Sequence, residues 1–173
     1  MNDLLQIRPM IHPDVEVVFQ ALEEHGIGKP LDYIKRCAEQ NITGERMTLI
    51  ALYDSQFAGW LHLLSRSSYP YFAERDIPEI NNFDVVPSLR RRGIGSALMD
   101  AVEQIAFDKY GIVGIGVGLF YDYGNAQRLY AKRGYIPDGR GVIYEDKQVE
   151  PGSYVKVGHD LALYLIKEQM DRD

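Results

Sequence analysis

Hydrophobic residues in the first third of the chain change from a helical to an extended spacing. Apolar side chains in residues 15–22 recur every three or four positions, which predicts an amphipathic helix. A second helix is predicted over residues 30–40, and a short strand over residues 4–8 precedes both helices. Residues 47–53 and 57–64 are rich in β-forming residues on either side of a short polar turn, so they predict an antiparallel hairpin.

The rest of the chain alternates strands and helices, with polar connections over residues 65–78 and 146–158. The predicted elements are a strand that ends at Val86 before Pro87, a helix over 94–107, a strand over 111–118, a helix over 125–133, a strand that begins at 135, turns at 137–139 and resumes at 142–144, and a last strand over 161–166. In the strand over 111–118, alternate glycines leave one face bare, which is typical of close approach by another backbone or by a ligand.

The junction between the strand ending at Val86 and the next helix carries the most specific chemistry. Residues 90–96 read RRRGIGS. The first turn of a helix presents unpaired backbone N–H groups and partial positive charge. Gly93 and Gly95 leave the backbone open to an anion, and three arginines precede them. The loop is therefore predicted to bind a phosphate or pyrophosphate.

Overall charge limits the kind of partner that this basic loop serves. The chain has a net charge of −6, which argues against a nucleic-acid partner and favours a small anionic ligand. Its length of 173 residues suits a single domain over residues 1–173. No apolar run reaches the ~20 residues of a membrane span, and residues 1–10 lack a signal-peptide pattern. Because Cys37 is the only cysteine, no internal disulfide can form, and a cytoplasmic location is expected.

Two separated motifs occur together in this chain. RxxGxG stands at residues 90–95, directly after a predicted strand, and AxxLYxxxGY stands at residues 126–135. In this order they resemble the acyl-CoA pyrophosphate loop and the second motif of the GNAT superfamily of N-acetyltransferases. The specific match covers residues 79–136, and elsewhere the resemblance rests on the order of elements.

The resemblance implies an α/β (α+β) GNAT fold. Its mixed, mostly antiparallel sheet would have about seven strands, with parallel strands four and five splayed apart, and about four flanking helices. It also implies acetyl-CoA as co-substrate and no metal. Main-chain groups of strand four would pair with the pantetheine arm, and the loop would hold the pyrophosphate. By position, these residues are Phe83, Asp84, Val85, Arg90, Arg91, Arg92, Gly93, Ile94, Gly95 and Ser96.

Catalytic roles follow from the same resemblance. Tyr130 stands where the family keeps the general acid that protonates the departing CoA thiolate, and the alternative is a core tyrosine. Glu79 stands where several members place a base, and the alternative is a surface glutamate at the start of a strand. Asp84 and His62 are lesser candidates for the base, although His62 lies in an apolar run that is more typical of a structural histidine.

One position departs from the family pattern. The usual cofactor-binding asparagine would stand seven residues before Tyr130, where this chain has Tyr123. Asn125 lies two residues away and either replaces that cofactor contact or caps the helix.

The expected function is transfer of an acetyl group from acetyl-CoA to the primary amine of a small, cationic acceptor, by direct attack in a ternary complex. Tyr69, Tyr71 and Phe72 either line the acceptor pocket or pack back on the core. The alternative is a non-catalytic acyl-CoA-binding module that regulates a partner. A dinucleotide-binding fold and a P-loop enzyme are disfavoured, because the loop lacks a third glycine and a Gly-Lys-Ser/Thr ending. Members of the family are frequently homodimers, so a homodimer is among the expected partners.

Overall fold

A computed structural model describes residues 4–169, which form two compact units. Within the described residues, unit 1 comprises residues 4–65 and 80–105, and unit 2 comprises residues 66–79 and 106–169. The limits of the predicted domain, residues 1 and 173, lie outside the described residues. The single-domain interpretation stays a prediction.

Unit 1 combines two whole helices and the first part of a third with three whole strands and most of a fourth. Its elements are β1 (Leu5–Pro9), α1 (Val15–Glu24), α2 (Leu31–Thr43), β2 (Arg46–Tyr53), β3 (Gln56–Leu64), most of β4 (Glu79–Val85) and the first part of α4 (Ile94–Tyr110). Strands β1, β2 and β3 pair antiparallel in chain order. Between β2 and β3, Asp54 and Ser55 both have positive φ (52° and 64°), as in the tight turns that join hairpin strands. The predicted hairpin is confirmed, with β3 beginning one residue early.

The apolar stripes of α1 and α2 form the core of unit 1 together with one face of the hairpin. Val18, Leu22 and Ile34 from the helices cluster with Ile50 and Trp60 from the strands. Each of these side chains is at most 1% exposed, so the helical spacing in the sequence marks the buried face. Cys37 on α2 is also fully buried.

Unit 2 holds a four-stranded antiparallel array. Its elements are the short helix α3 (Pro70–Ala73), the end of α4, β5 (Ile112–Gly118), α5 (Gly124–Lys132), β6 (Ile136–Tyr144), β7 (Lys147–Gln148) and β8 (Leu161–Glu168). Strand β8 pairs with β5 on one side and β6 on the other, and β6 pairs with β7. The last apolar run therefore forms an inner strand of this array, as its continuous hydrophobicity predicts.

Three local predictions need correction. The turn predicted at residues 137–139 lies inside β6, because the ladder to β8 absorbs it as an irregularity between Pro137 and Val142. The connection over residues 65–78 contains α3, and the polar stretch over residues 146–158 contains β7. The described residues thus hold eight strands and five α-helices, where about seven strands and four helices were expected.

Candidate active site

The basic loop has a backbone that suits an anion. Gly93 has φ of +81°, and the position where a Cβ would stand is open, with no atom within 4 Å. Arg91 is also left-handed, at φ of +64°. Directly after them α4 begins at Ile94, so the N–H groups of its first turn point out of the helix end. These features fit the pyrophosphate group that the resemblance implies.

The arginines of the loop keep their charge available. Arg90, Arg91 and Arg92 are exposed, and none of them forms an ion pair within the described residues 4–169. The Nε of Arg90 donates to the carbonyl of Val85 at 3.2 Å, and the guanidinium of Arg92 lies 5.4 Å from the ring centre of Tyr53. These contacts hold the side chains without neutralising them.

The sequence indicates that Gly95 leaves the backbone open to an anion, whereas in the structure Gly95 makes room for a neighbouring ring. A Cβ at Gly95 would stand 3.1 Å from the Cζ of Phe83, so the missing side chain makes room for that ring. Asp84 turns to the other face of β4, where its carboxylate accepts from the indole N–H of Trp60 at 3.1 Å. Of the predicted cofactor residues on β4, Phe83 thus packs against α4 at Gly95. The carboxylate of Asp84 is hydrogen-bonded to Trp60.

Glu79 is a buried carboxylate at the first position of β4. It is 7% exposed and accepts a hydrogen bond from the hydroxyl of Ser67, whose oxygen accepts from the backbone N–H of Tyr69 at 2.9 Å. Burial raises the pKa of the Glu79 carboxyl to about 6, the Ser67 hydrogen bond opposes the rise, and the charge of Asp146 adds to it. The alternative of a surface glutamate is therefore wrong, and the group can change protonation near neutral pH.

Two stacked tyrosines of unit 2 lie near this carboxylate, and its charge is one cause of the raised pKa of Tyr164. Tyr69 stacks on Tyr164 with ring centres 4.0 Å apart, and the two hydroxyls donate to Asp138 at 2.9 Å and Asp146 at 3.2 Å. Burial, and for Tyr69 its hydrogen bond to Asp138, raises the pKa of both phenols far above the usual range. Both hydroxyls therefore remain protonated donors near neutral pH.

Two of the three aromatic residues predicted for the acceptor pocket are core residues. Phe72 is fully buried, and Tyr69 is 3% exposed. Tyr71 is half-buried and stacks under the guanidinium of Arg75 at 3.9 Å. The burial of Tyr69 and Phe72 agrees with the alternative that these aromatic residues pack on the core. Tyr71 keeps the largest accessible surface of the three.

The bare glycine face of β5 is filled by aromatic rings of the same chain. A Cβ at Gly114 would stand 2.1 Å from the ring of Phe72, and one at Gly118 would stand 2.3 Å from the ring of Tyr123. Gly116 faces Tyr164 at 3.1 Å. The sequence pattern indicates close approach by another backbone or by a ligand. In the structure, aromatic side chains of the same chain occupy that space instead.

Tyr130 lies on α5 and is 5% exposed. Its ring centre is 5.9 Å from that of Tyr135, and its carbonyl accepts from the backbone N–H of Tyr135 at 3.0 Å. Tyr135 also lines a cavity of about 370 Å³ in unit 2, together with Gln127 and mainly apolar side chains of β5, α5 and β8. The second motif thus brings two tyrosines together at the end of α5.

Asn125 does not cap α5. The helix begins at Gly124, and the residue in the capping position is Tyr123, whose side chain makes no capping hydrogen bond. Asn125 is the second helical residue and is exposed. The hydroxyl of Tyr123, in the position of the family asparagine, instead pairs with Nδ1 of His159 at 2.7 Å.

His62 is a fully buried side chain of unit 1. Its Nδ1 shares a hydrogen bond of 2.7 Å with the hydroxyl of Thr48. Burial, together with the charges of Arg46 and Lys29, lowers the pKa of His62 well below its usual value, so the ring is neutral at pH 7. The sequence correctly favours a structural histidine in this run.

Sequence reasoning missed Ser67, which holds Glu79, and Tyr33, whose hydroxyl accepts from Arg46 and Asn82. One signal was present in β4, where Asn82 and Asp84 place polar groups two residues apart and therefore on the same face of the strand. Nothing in the spacing of Ser67 from Glu79 predicts their contact.

Two searches of residues 4–169 were negative. No group of three or more His, Cys, Asp or Glu side chains in that range is arranged to hold a metal ion. No described helix has both the length and the apolar character to cross a membrane.

A protein-family model matches the larger part of the chain. The model of the family described as Acetyltransferase (GNAT) family matches residues 15–135. Among proteins with curated descriptions, none matches the chain in sequence.

Solved structures with the same architecture include three described as acetyltransferases. One is yncA from Salmonella typhimurium with its cofactor acetyl-CoA, at 13% identity and a TM-score of 0.70, covering 98% of this chain and 96% of that one. A spermidine N-acetyltransferase SpeG chimera from Vibrio cholerae and hSSAT has 14% identity and a TM-score of 0.67, with 96% of each chain covered. An enzyme of Salmonella typhimurium that modifies the N-terminal serine of ribosomal protein L7/L12 has 11% identity and a TM-score of 0.69, covering 98% and 96%. At such low identity these likenesses establish the fold alone, and they confirm the predicted GNAT fold.

Proposed function

This chain belongs to the GNAT family of acetyltransferases and is an acyltransferase enzyme, and from that premise we propose which reaction it carries out. It moves the acetyl group of acetyl-CoA to the primary amine of a small, cationic acceptor, by direct attack within a ternary complex. The observation that carries the proposal is Glu79, a buried carboxylate whose pKa is raised to about 6.

Glu79 supplies the base. A primary amine is an ammonium ion at neutral pH and must lose a proton before its nitrogen can attack a thioester carbonyl. A carboxylate with a pKa near 6 is mostly ionised at pH 7 and still basic enough to accept that proton, directly or through water. The same negative charge attracts the cationic acceptor.

Tyr130 supplies the acid. When the carbon–sulfur bond breaks, the electron pair goes to the sulfur of CoA, and the resulting thiolate needs a proton. A neutral tyrosine hydroxyl at this step lowers the barrier because it neutralises the charge as it develops. The burial of Tyr130 at 5% exposure keeps its ring in one position.

The cofactor is held by β4 and by the basic loop that precedes α4. Backbone groups of Phe83, Asp84 and Val85 pair with the pantetheine arm, and residues 90–96 hold the pyrophosphate. Acetyl-CoA supplies an activated acetyl group, and the chain orients it and manages the protons. The open Cβ position at Gly93 and the three exposed arginines support this assignment. Asn125, exposed on α5, is left as a further candidate contact.

The experiment that tests the proposal is release of free CoA thiol from acetyl-CoA across a panel of primary amines. We expect acceleration by at least one amine, and loss of that acceleration in Glu79→Gln. Binding of acetyl-CoA without acceleration by any amine would instead support the non-catalytic, regulatory reading.

Two further parts of the proposal concern the setting of the enzyme. A chain with one cysteine, Cys37, suits the reducing cytoplasm. A homodimer is proposed from the family resemblance, and light scattering after gel filtration would test it.

A further inference from the structure

Two stacked tyrosines of unit 2 are each bound by an aspartate of the β6–β7 hairpin. Tyr69 precedes α3 and Tyr164 lies on β8, and their rings are nearly parallel, with centres 4.0 Å apart and planes inclined by 21°. The hydroxyl of Tyr69 donates to Oδ2 of Asp138 at 2.9 Å, and that of Tyr164 donates to Oδ1 of Asp146 at 3.2 Å. We call these residues the tyrosine–aspartate cluster: Tyr69, Asp138, Asp146 and Tyr164.

Asp138 is held at both of its carboxylate oxygens. Its Oδ1 accepts from the backbone N–H of Arg140 at 2.9 Å, while its Oδ2 accepts from Tyr69. Asp138 lies where the ladder between β6 and β8 is irregular, between Pro137 and Val142. Irregularities of this kind bend a strand and change the direction of its side chains. The irregular part of β6 thus presents a carboxylate to the connection that precedes α3.

Asp146 lies in the turn between β6 and β7. Glu145 and Asp146 both have left-handed backbones, with φ of 48° and 62°. Glycine would adopt this conformation at lower cost in a two-residue hairpin turn. The turn therefore carries a carboxylate where the backbone alone would favour glycine, which points to a use for the side chain. That side chain accepts from the hydroxyl of Tyr164.

The cluster reaches Glu79 through the backbone of Tyr69. The N–H of Tyr69 donates to Oγ of Ser67 at 2.9 Å, and the hydroxyl of Ser67 donates to the carboxylate of Glu79. Each step of this path is a hydrogen bond between groups of unit 2 that are less than 9% exposed. A displacement of Tyr69 would therefore move Ser67 and change the hydrogen bond that Glu79 accepts.

Three elements contribute groups that act on the proton affinity of Glu79 or respond to its charge. Burial is the largest cause of the raised pKa of Glu79, the Ser67 hydrogen bond opposes it, and the charge of Asp146 adds to it. Burial also raises the pKa of Tyr164 on β8, and the charges of Glu79 and Asp146 add to that rise. Asp146, Tyr164 and Glu79 thus interact electrostatically within one unit.

The other charged groups of the hairpin act on Tyr69. Burial and the hydrogen bond to Asp138 raise the pKa of the Tyr69 hydroxyl, and the charge of Arg140 opposes the rise. The charge of Asp138 does not contribute to the raised pKa of Glu79. The two aspartates of one hairpin therefore differ, since Asp138 contacts the path to Glu79 and Asp146 also acts by its charge.

We propose that the β6–β7 hairpin sets the geometry and the basicity of Glu79, with Asp138 and Asp146 as positioning residues that act through Tyr69 and Tyr164. The inference rests on the proposed function and deepens it, because it names the part of the chain that prepares the base. Asp138 fixes the tyrosine whose N–H holds Ser67. Asp146 fixes the stacked partner and supplies negative charge. A base held in one direction loses less of the rate to misalignment.

The first test measures Glu79 without any substrate. The protein is labelled with ¹³C at the glutamate side-chain carboxyls, and Glu79→Gln identifies the signal of Glu79. Its titration midpoint should be about 6. Asp146→Asn should move the midpoint to lower pH, because it removes a negative charge that favours the protonated carboxyl. Asp138→Asn is the matched control, which removes a charge from the same hairpin and should leave the midpoint in place.

The second test measures positioning. Tyr69→Phe removes the hydroxyl and keeps the ring, so kcat should fall about tenfold with little change in the KM for acetyl-CoA. Asp138→Ala should have the same effect, whereas Asp138→Asn keeps an acceptor oxygen and should stay near wild type. The double variant of Tyr69→Phe with Asp138→Ala should lose no more than either single variant, because both remove one hydrogen bond. Tyr164→Phe tests the second bond if Tyr69→Phe does not fold.

The outcomes separate the two proposals. A lower midpoint of Glu79 in Asp146→Asn, with no acetyl transfer to any amine, overturns the proposed function and leaves the action of the hairpin on Glu79 standing. Acetyl transfer with an unmoved midpoint in Asp146→Asn, or with additive losses in the double variant, overturns the role of the hairpin and leaves the proposed function standing.

Discussion

The hydroxyl of Ser67 donates a hydrogen bond to the carboxylate of Glu79, and both side chains are buried, at 4% and 7% exposure. Ser67 in turn accepts from the N–H of Tyr69, so the backbone fixes the position of its oxygen. The pair therefore sets both the direction of the carboxylate and its affinity for a proton. Burial raises the pKa of Glu79, and Ser67 restrains the rise.

The first prediction is a pH profile. If Glu79 is the base, kcat/KM should fall about tenfold per pH unit below a pKa of about 6, since the protonated carboxyl cannot accept the proton of the ammonium. Glu79→Gln should abolish this limb and lower kcat/KM. A variant that keeps the full rate with saturating acetyl-CoA would assign the base to another group or to water.

The second prediction separates positioning from catalysis. Ser67→Ala removes the hydrogen bond that holds the pKa of Glu79 down, so the acidic limb should move to higher pH. Ser67→Thr keeps a hydroxyl and serves as the matched control, with a limb near that of the wild type. An unmoved limb in Ser67→Ala would show that the hydroxyl has no part in tuning the base.

The third prediction concerns stability. The folded protein holds the proton of Glu79 more tightly than the unfolded chain, with a pKa of about 6 against 4.5. The stability that this group contributes is therefore fully present below pH 4.5 and is lost as pH rises through 6, by about 2 kcal/mol at most. Glu79→Gln should lack this loss, so its free energy of unfolding relative to wild type should rise between pH 4 and pH 7. Urea titrations at the two pH values measure the difference, and a constant difference would contradict the raised pKa.

The fourth prediction is that the two motifs affect different kinetic constants. Arg90→Ala should raise KM for acetyl-CoA more than it lowers kcat, because the exposed guanidinium contributes charge to cofactor binding. Tyr130→Phe should lower kcat by about 100-fold with little change in that KM, as expected for loss of a general acid. Arg36→Ala and Tyr135→Phe are the controls, since they remove another exposed cation and a neighbouring buried hydroxyl. The reverse pattern would mean that the loop controls transfer and the tyrosine controls affinity.

The fifth prediction tests the packing of β5. Gly114→Ala would put a methyl group 2.1 Å from the buried ring of Phe72, so it should destabilise the protein by about 1–3 kcal/mol or more. Gly116→Ala, with its nearest contact at 3.1 Å, should cost less. Combining Gly114→Ala with Phe72→Leu should recover part of the loss, measured as Tm. Equal effects of the two glycine substitutions would show that the ring of Phe72 yields.

The sequence predicts those parts of the molecule that depend on local spacing. The hairpin around Asp54, the helix after Gly93 and the stripe that includes Leu22 all follow from periods and turn residues that neighbouring positions set. The basic loop was also predictable, because its chemistry belongs to the backbone and to arginines adjacent in sequence.

The parts that the sequence does not predict depend on tertiary contact. Phe72 looks like an exposed loop aromatic until Gly114, forty-two positions later in the printed sequence, is seen to leave a space for its ring. Ser67 acquires a role only because the chain folds it against Glu79. Tyr33 lies on the face of α2 that the helical period makes half-buried, and only the fold brings Arg46 and Asn82 to its hydroxyl.

The burial of Cys37 has a practical consequence for anyone who wishes to label this enzyme. The only thiol of the chain is fully buried, and burial raises its pKa, so maleimides and disulfide reagents meet almost no reactive thiolate in the folded protein. A cysteine introduced at an exposed position, such as residue 36, would therefore take a fluorophore or spin label alone. The native protein is in effect a cysteine-free background for spectroscopy, with no substitution of Cys37 required.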